Sequence, residues 1–355
     1  MLRPKLIKRE SESLLARIAV PILSIILAFV CGWIFLYFSG FDPGESYLRM
    51  YQGAFGSRYA ISETLVKAIP LALCGLGVSL AFRMKLWNIG AEGQFHMGAL
   101  AASGVALSMG DLSAWMLLPL MFLAGFAAGG IWGAIPGALR AYWDVNETIT
   151  SLMLNYVAIL WVDFLVFGPW KDPSSMGFPL TPRFSVNGYL PTLGTSRVHI
   201  GLILALIIAI VVYIVLQYTR WGYEVRVVGE SKVAARYAGM NVARHILLVM
   251  LISGGIAGLA GMIEVSGITH RLQQGISPGY GYTAIIVAWL ARLNPFTILL
   301  VAFLFGALLV GGFSVQTFGI SFSIVLVLQG AVLFFLLGGE IFLKNRLVWV
   351  REEVR

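Results

Sequence analysis

Long apolar runs separated by short polar segments constrain the fold of this chain more than any other feature. A helix that crosses a bilayer needs roughly 20 predominantly apolar residues, and 59% of the 355 residues are hydrophobic while only 12% are charged. Candidate spans lie near 14–38, 64–82, 93–109, 114–139, 148–168, 198–218, 246–265, 281–291, 295–313 and 320–338. We therefore predict an all-α polytopic membrane protein with about ten transmembrane helices. This composition excludes a soluble enzyme, a secreted disulfide-rich domain and a nucleic-acid-binding domain.

The distribution of basic residues predicts the topology. Most of the 25 lysines and arginines lie in segments that an even number of crossings places on the same side as the N-terminus, and that side is cytoplasmic by the positive-inside rule. The net charge of +8 is therefore mainly a topology signal. We expect one transmembrane domain over 1–355 with both termini cytoplasmic. Its predicted parts are a basic N-terminus at 1–17, an external loop at 169–197, a cytoplasmic loop at 219–245 and a cytoplasmic tail at 339–355.

Two Gly-rich interruptions break the apolar pattern. The first, 88–94, has polar side chains where a helix should begin, and the second, 277–282, precedes a run at 281–291 that is too short to cross ~30 Å as a regular helix. Interrupted or re-entrant segments at comparable places in two halves indicate inverted-repeat-like halves with a binding or conduction site between them. The alternative for the first interruption is an ordinary cytoplasmic turn.

Other polar residues lie within or at the ends of apolar runs. Asn155 either lines an aqueous path or is satisfied by a neighbouring helix, whereas Asp163 and Glu264 lie near the outer ends, which favours snorkelling to the interface. The residues assigned to the substrate pathway are Asn88, Glu92, Gln94, Asn155, Tyr280 and Tyr282.

Glycines at every fourth position along 114–139 form a continuous small-residue face. They are Gly125, Gly129, Gly133 and Gly137, and Gly254 and Gly258 repeat the spacing further along the chain. Such a face predicts a second helix packed very closely against it. The alternative is a groove that lines the substrate path.

The cytoplasmic loop contains a short helix signal. Ser231 is a good N-cap, 232–238 favours a helix, and Gly239 can supply a left-handed C-terminal residue. Small residues beside charges suit docking into a groove on a partner protein, whereas the alternative is a solvated helix that joins two spans. The residues assigned to docking are Glu230, Ala234, Ala235, Arg236 and Gly239.

Motifs for catalysis are absent from the sequence. No G-x-x-x-x-G-K-[ST] phosphate-binding loop occurs, and neither the four histidines nor the two cysteines have metal-ligand spacing. We therefore expect no ATPase site, no catalytic site and no metal site in this chain.

Several stretches together resemble a known family. They are LWNIGAEGQFHMGALAA (86–102), VNETITSLMLNYVA (145–158), GYEVRVVGESKVAARYAGMNVAR (222–244) and AGLAGMIEVSGITHRLQQGISPGYGYTAIIVAWLAR (257–292). They are similar to permease subunits of bacterial ABC importers in the branched-chain amino acid, ribose and nucleoside permease superfamily. The likeness is closest to the nucleoside, or simple-sugar, branch.

This resemblance implies the partners and the location. It implies a multi-pass protein of the bacterial cytoplasmic (inner) membrane that pairs with an identical or different second permease subunit. It also implies a cytoplasmic ABC ATPase, which would bind ATP and Mg, and an extracytoplasmic substrate-binding lipoprotein. The helix at 230–239 resembles a coupling helix, and the interruptions resemble pathway segments. Membrane lipid is the other expected partner, and no cofactor is expected in this chain.

The resemblance implies ATP-driven import of nucleosides or related sugar-containing small molecules. Two alternatives stay open. One is an ion- or proton-coupled secondary transporter that uses Glu92 or Asp163 as its coupling carboxylate. The other is an intramembrane enzyme, which would need a catalytic constellation that the sequence does not contain.

Overall fold

The computed structural model describes residues 2–8, 14–194 and 196–351, with side chains described over 19–339 except at 195. The helices are α1 (Leu14–Phe38), α2 (Pro43–Phe55), α3 (Arg58–Arg83), α4 (Ala91–Ser108), α5 (Ala114–Trp143), α6 (Glu147–Phe167), α7 (Gly201–Tyr218), α8 (Arg220–Glu230), α9 (Lys232–Tyr237), α10 (Val242–Glu264), α11 (Tyr280–Leu290), α12 (Pro295–Gln316) and α13 (Ser323–Lys344). The strands are β1 (Leu2–Lys8) and β2 (Asn345–Arg351).

Every predicted apolar stretch is helical, which confirms a helical polytopic membrane protein. Within the described residues, seven helices rather than ten are long and apolar enough to cross a membrane. The other three predicted spans are α4, α11 and α13. Polar residues occupy the first turns of α4, α11 has only 11 residues, and the apolar part of α13 is Ser323–Gly339.

The two ends of the chain form a structure that the sequence did not predict. β1 and β2 pair antiparallel, from Leu2 opposite Arg351 to Lys8 opposite Asn345. This ladder pairs the backbone amides and carbonyls of both segments. Local periodicity gives no sign of pairing between opposite ends of a chain, so the all-α prediction missed these strands.

By its internal contacts the chain divides into two compact units, Met1–Gly53 with Gly311–Arg355 and Ala54–Val310. In the first unit, α1 packs against α13. In the second, α10 packs against α3, α4 and α5, and α11 packs against α3. The second unit contains every residue that the sequence assigned to the substrate pathway or to docking.

The predicted glycine face on α5 is confirmed as a close helix contact. Gly129 faces Gly254 and Gly258 of α10, and a Cβ placed on Gly258 would lie 2.9 Å from the Gly129 Cα. A Cβ on Gly133 would lie 2.6 Å from the Met250 carbonyl oxygen. The two backbones can approach this closely only because both faces lack side chains. Helix α10 occupies the face, so it is a packing surface rather than a substrate groove.

The segment 169–197 is held along the chain that follows α10. The Thr181 amide donates to the Leu272 carbonyl at 2.9 Å, and the Leu190 amide donates to the Ser266 carbonyl at 3.0 Å. One 3₁₀ turn, Val186–Gly188, lies within the segment. These backbone bonds fix the segment on the residues that lead into α11.

We expect Gly258→Ala to destabilise the protein by about 1–3 kcal/mol, because the new methyl group would overpack the α5–α10 contact. The matched control is Gly330→Ala in α13, where an added Cβ meets no atom within 4 Å. The control should be neutral or slightly stabilising, since alanine is the better helix former. Thermal unfolding in detergent measures both variants, and equal melting temperatures would contradict the tight packing.

Candidate functional site

The two interruptions are helix starts that meet each other. α4 begins at Ala91 and α11 begins at Tyr280, and the Gly281 amide donates to the Glu92 Oε2 atom at 2.7 Å. A Cβ on Gly281 would lie only 2.5 Å from the Glu92 Cα, so the two backbones touch. We call the residues 88–94 and 277–282 together the break junction.

Glu92 is buried at the centre of the break junction. Its carboxylate lies in the first turn of α4 and accepts a hydrogen bond from the first turn of α11. Helix N-termini carry partial positive charge, so both helices stabilise a negative charge at this point. The His96 Nδ1 atom lies 3.9 Å from Glu92 Oε1 and 2.8 Å from the Glu92 carbonyl oxygen. Glu92 therefore holds the two interrupted helices together.

A network of amide groups ties the start of α4 to α10 and α3. The Asn88 Nδ2 group donates to Ser253 Oγ at 2.9 Å, and the Gln94 Nε2 group donates to Asn88 Oδ1 at 2.9 Å. Ser253 Oγ in turn donates to the Gly77 carbonyl at 2.7 Å. Asn88, Gln94 and Ser253 are all buried, which differs from an ordinary exposed turn. The network satisfies polar groups that an interrupted helix leaves free.

Asn155 of α6 links the two parts of the break junction. Its Oδ1 atom accepts from the Gly93 amide at 2.8 Å, and its Nδ2 group donates to the Ile89 carbonyl at 2.9 Å. The same Nδ2 group lies 3.3 Å from the Tyr282 hydroxyl. Tyr282 is partly exposed, whereas Asn155 is buried.

Lys67 and Glu264 complete the site, and the sequence interpretation missed their role. The Lys67 Nζ atom lies 3.4 Å from Glu264 Oε1 and donates to the Tyr280 hydroxyl at 2.9 Å. Glu264 is 3% exposed, so the interpretation that it snorkels to the interface is wrong. One π-helical turn, Val265–Thr269, directly follows it. The lysine in the apolar stretch 64–82 was the sequence signal for an ion pair with a buried carboxylate.

All six predicted pathway residues come together, yet five of them are buried within the second unit. Asn88, Glu92, Gln94, Asn155 and Tyr280 are each at most 2% exposed. They hold α3, α4, α6, α10 and α11 together in this conformation. Tyr282 is the member of the set with an accessible ring. Contact between these residues and a substrate stays a prediction.

Asp163 lies outside this set. One of its carboxylate oxygens is 3.5 Å from the Gln274 Nε2 atom, and its role as an interfacial carboxylate also stays a prediction.

The segment 219–245 contains a pair of helices rather than one. The predicted short helix is α9, in which Ser231 Oγ accepts from the Ala234 amide at 3.2 Å and Gly239 follows with φ +76°. The sequence did not predict α8, which precedes it. Glu230, Ala234, Arg236 and Gly239 are exposed, and Glu230 pairs with Lys85 at 3.2 Å. Ala235 is 0% exposed, so it faces into the chain.

The outermost face of α9 carries two apolar side chains. Val233 is 62% exposed and Tyr237 is 89% exposed. Helical residues are spaced about 100° apart, so these two residues lie opposite the buried Ala235. The sequence interpretation missed them, although their i, i+4 spacing within a charged loop was visible. We call Val233 and Tyr237 the α9 apex.

Helix α8 connects α9 to the start of the break junction. A Cβ on Gly229 would lie 3.0 Å from the Met84 Cα, and Val225 and Val228 are buried. The residues that follow Met84 lead directly into the buried Asn88. Contact between α8 and the turn after α3 is therefore close and leaves little room for independent movement.

We expect Glu264→Leu to destabilise the protein by about 1–3 kcal/mol, because it leaves the partly buried Lys67 ammonium without its carboxylate. The double variant Lys67→Met with Glu264→Leu should recover most of that loss, since no unpaired charge remains. Thermal unfolding of both variants measures the difference. If the double variant were no more stable than Glu264→Leu, the ion pair would not be the cause of the loss.

Comparison with known proteins identifies the family. The glucose ABC transporter permease protein TsgB13 of Haloferax volcanii is 40% identical over 92% of this chain and 88% of its own length. The guanosine ABC transporter permease protein NupP of Bacillus subtilis is 35% identical over 84% and 86% of the two chains. The nucleoside ABC transporter permease protein NupB of Lactococcus lactis is 31% identical over 90% of each.

A family model described as the permease component of the branched-chain amino acid transport system matches residues 60–337. That range includes the break junction, the ion pair and both helices of the segment 219–245. The chain therefore belongs to this family of permease components, as a multi-pass membrane protein.

Proposed function

We propose that this chain is the transmembrane permease subunit of an ATP-driven ABC importer for nucleosides or related sugar-containing small molecules. The names of its relatives support both the transporter type and the substrate class, because these relatives are ABC transporter permeases for glucose, guanosine and nucleosides. The proposed location is the cytoplasmic membrane. The proposed partners are a second permease subunit, an ABC ATPase that binds ATP and Mg, and an extracytoplasmic substrate-binding lipoprotein.

The α9 apex is the observation that carries the docking step. Val233 and Tyr237 expose apolar surface on a short helix whose opposite side, at Ala235, is anchored in the chain. An exposed apolar surface on a helix in a charged loop fits a groove on a protein partner. We assign the α9 apex to the ATPase groove, with Ala234 beside it. Ala235 then anchors α9 from behind rather than contacting the ATPase.

The route from α9 to the break junction is short. A force on the α9 apex passes into α8, and α8 presses through Gly229 on the backbone of Arg83 and Met84. The Arg83 guanidinium also donates to the Leu293 carbonyl at 2.7 Å, at the turn that follows α11. The turn that leads toward α4 and the turn that follows α11 are therefore both held at Arg83. Movement there changes the relative position of α4 and α11, the two-state element that transport requires.

The substrate step involves the accessible edge of the break junction. The Tyr282 ring can stack on a sugar or base face, and its hydroxyl and the Asn155 amide can bond sugar hydroxyls once α4 and α11 separate. Because a separate lipoprotein captures the substrate, weak contacts suffice in the permease. The buried Asn88, Glu92 and Gln94 then act as the contacts that close the path.

A second candidate function is an ion-coupled transporter, which the buried Glu92 and His96 favour because ionisable groups at membrane depth are commonly functional. The two candidate functions differ in the energy source and in the partner proteins that uptake requires. In liposomes that contain only this chain, a proton gradient drives uptake of labelled nucleoside in the second candidate but not in the first. If the chain is instead an ABC importer subunit, uptake requires the addition of the ATPase, the second permease subunit and ATP.

We expect Val233→Asp to abolish co-purification of the ATPase and to lower ATP-driven uptake at least tenfold, because a buried carboxylate at the docking contact is unfavourable. The matched control is Val186→Asp, at a valine that is 77% exposed in the segment 169–197. The control should keep the ATPase bound. Retention of the ATPase by Val233→Asp would rule out the α9 apex as the docking surface.

We expect Gly229→Ala to keep the ATPase bound but to lower ATP-driven uptake at least tenfold. The added Cβ would clash with the Arg83 carbonyl and lie 3.0 Å from the Met84 Cα, so it would push α8 away from the turn after α3. ATPase activity and uptake are measured on the same reconstituted transporter. Unchanged uptake per ATP hydrolysed would show that force does not pass through this contact.

A further inference from the structure

A basic cavity lies beside α9, away from the α9 apex. It has a volume of about 770 Å³ and lies between the end of α5, the flank of α9 and the start of α10. Three cations line it, Arg140, Lys232 and Arg236, together with one carboxylate, Asp144. Lys232 and Arg236 are four residues apart on α9 and therefore share a face. None of the residues of the break junction lines this cavity.

The charges around the cavity are not balanced. Arg140 has its own carboxylates, since Nη1 lies 2.9 Å from Asp144 Oδ1 and Nε lies 3.3 Å from Glu147 Oε2. Within the described part of the chain, Lys232 and Arg236 form no salt bridge. Burial, followed by the charge of Arg140, lowers the pKa of Lys232, and the charges of Asp144 and Glu147 raise it by less. A further anion in the cavity would offset the effects of burial and of Arg140.

The start of α10 adds a further preference for an anion. Asn241 caps this helix by accepting from the Arg244 amide at 3.0 Å, and Val242 begins the helix at the cavity wall. The first amides of a helix have no partner within the helix, and the helix dipole makes this end positive. The N-terminus of α10 therefore favours an anion in the cavity, as Lys232 and Arg236 do.

The depth of the cavity points to a lipid. Tyr142 and Trp143 end the membrane-spanning α5 and are both exposed, and exposed Tyr and Trp residues mark the membrane–water interface. Ile131 and Ile135, further back on the same helix, are also exposed. A headgroup in the cavity would thus leave acyl chains beside an apolar helix face.

We propose that this cavity binds the phosphate headgroup of an anionic phospholipid through Lys232, Arg236 and the N-terminus of α10. Basic pockets between membrane helices on the cytoplasmic side suit such headgroups. Bound lipid bridges α9 and α5, and so fixes the direction in which the α9 apex points. This consequence for coupling rests on the proposed function, whereas the binding itself does not.

The test uses the purified full chain in detergent, without ATPase. Phosphatidylglycerol should raise its melting temperature and bind in native mass spectra, whereas phosphatidylcholine should do neither. The double variant Lys232→Gln with Arg236→Gln should bind phosphatidylglycerol at least tenfold more weakly. The matched control is Lys171→Gln with Arg183→Gln, a basic pair that lines a different cavity. This control should bind the lipid as the unmodified chain does.

Three results would overturn the proposal. They are unchanged lipid binding by the double variant, an equal loss in the control, or an equal shift by inorganic phosphate. Unchanged lipid binding accompanied by loss of the ATPase in the assembled transporter would assign the two cations to the ATPase. If the double variant failed to fold, the single variants Lys232→Gln and Arg236→Gln test the same contact, and unchanged lipid binding by both would overturn the proposal. Failure of Val233→Asp to release the ATPase would leave this assay unaffected.

Discussion

The hydrogen bond between the Gly281 amide and the Glu92 carboxylate is the contact on which the second unit depends. Two helices that start inside an apolar environment each leave amides without partners, and water cannot satisfy them there. One carboxylate placed between both N-termini satisfies an amide and interacts favourably with both dipoles. The amide network of Asn88, Gln94 and Asn155 extends the same solution to the neighbouring helices.

Close backbone packing makes this arrangement rigid enough to move as a unit. Gly258 brings α10 against α5, and Gly229 brings α8 against the turn after α3. In both places a missing side chain allows two backbones to touch, so displacement of one element must displace the other. The ion pair between Lys67 and Glu264 fixes α3 to α10 at the start of α11.

Five of the six residues of α9 divide three proposed tasks among the faces of the helix. Ala235 anchors the helix, Val233 and Tyr237 form the apex, and Lys232 and Arg236 face the basic cavity. A helix this short can present different chemistry on each side because its residues are spaced about 100° apart. We propose that docking and lipid binding therefore act on one rigid body, with α8 as the connection to the break junction.

Local patterns of side chains were sufficient to predict the helical membrane fold, the close-packing glycine face of α5 and the cap of α9 at Ser231. It also indicated the polar residues of the break junction. It did not reveal that Glu92 meets Gly281, that Glu264 pairs with Lys67, that Ala235 faces inward, or that β1 pairs with β2. Those facts depend on contacts between residues far apart in the chain, or on which side of a helix the rest of the molecule covers, and local sequence patterns carry no information on either.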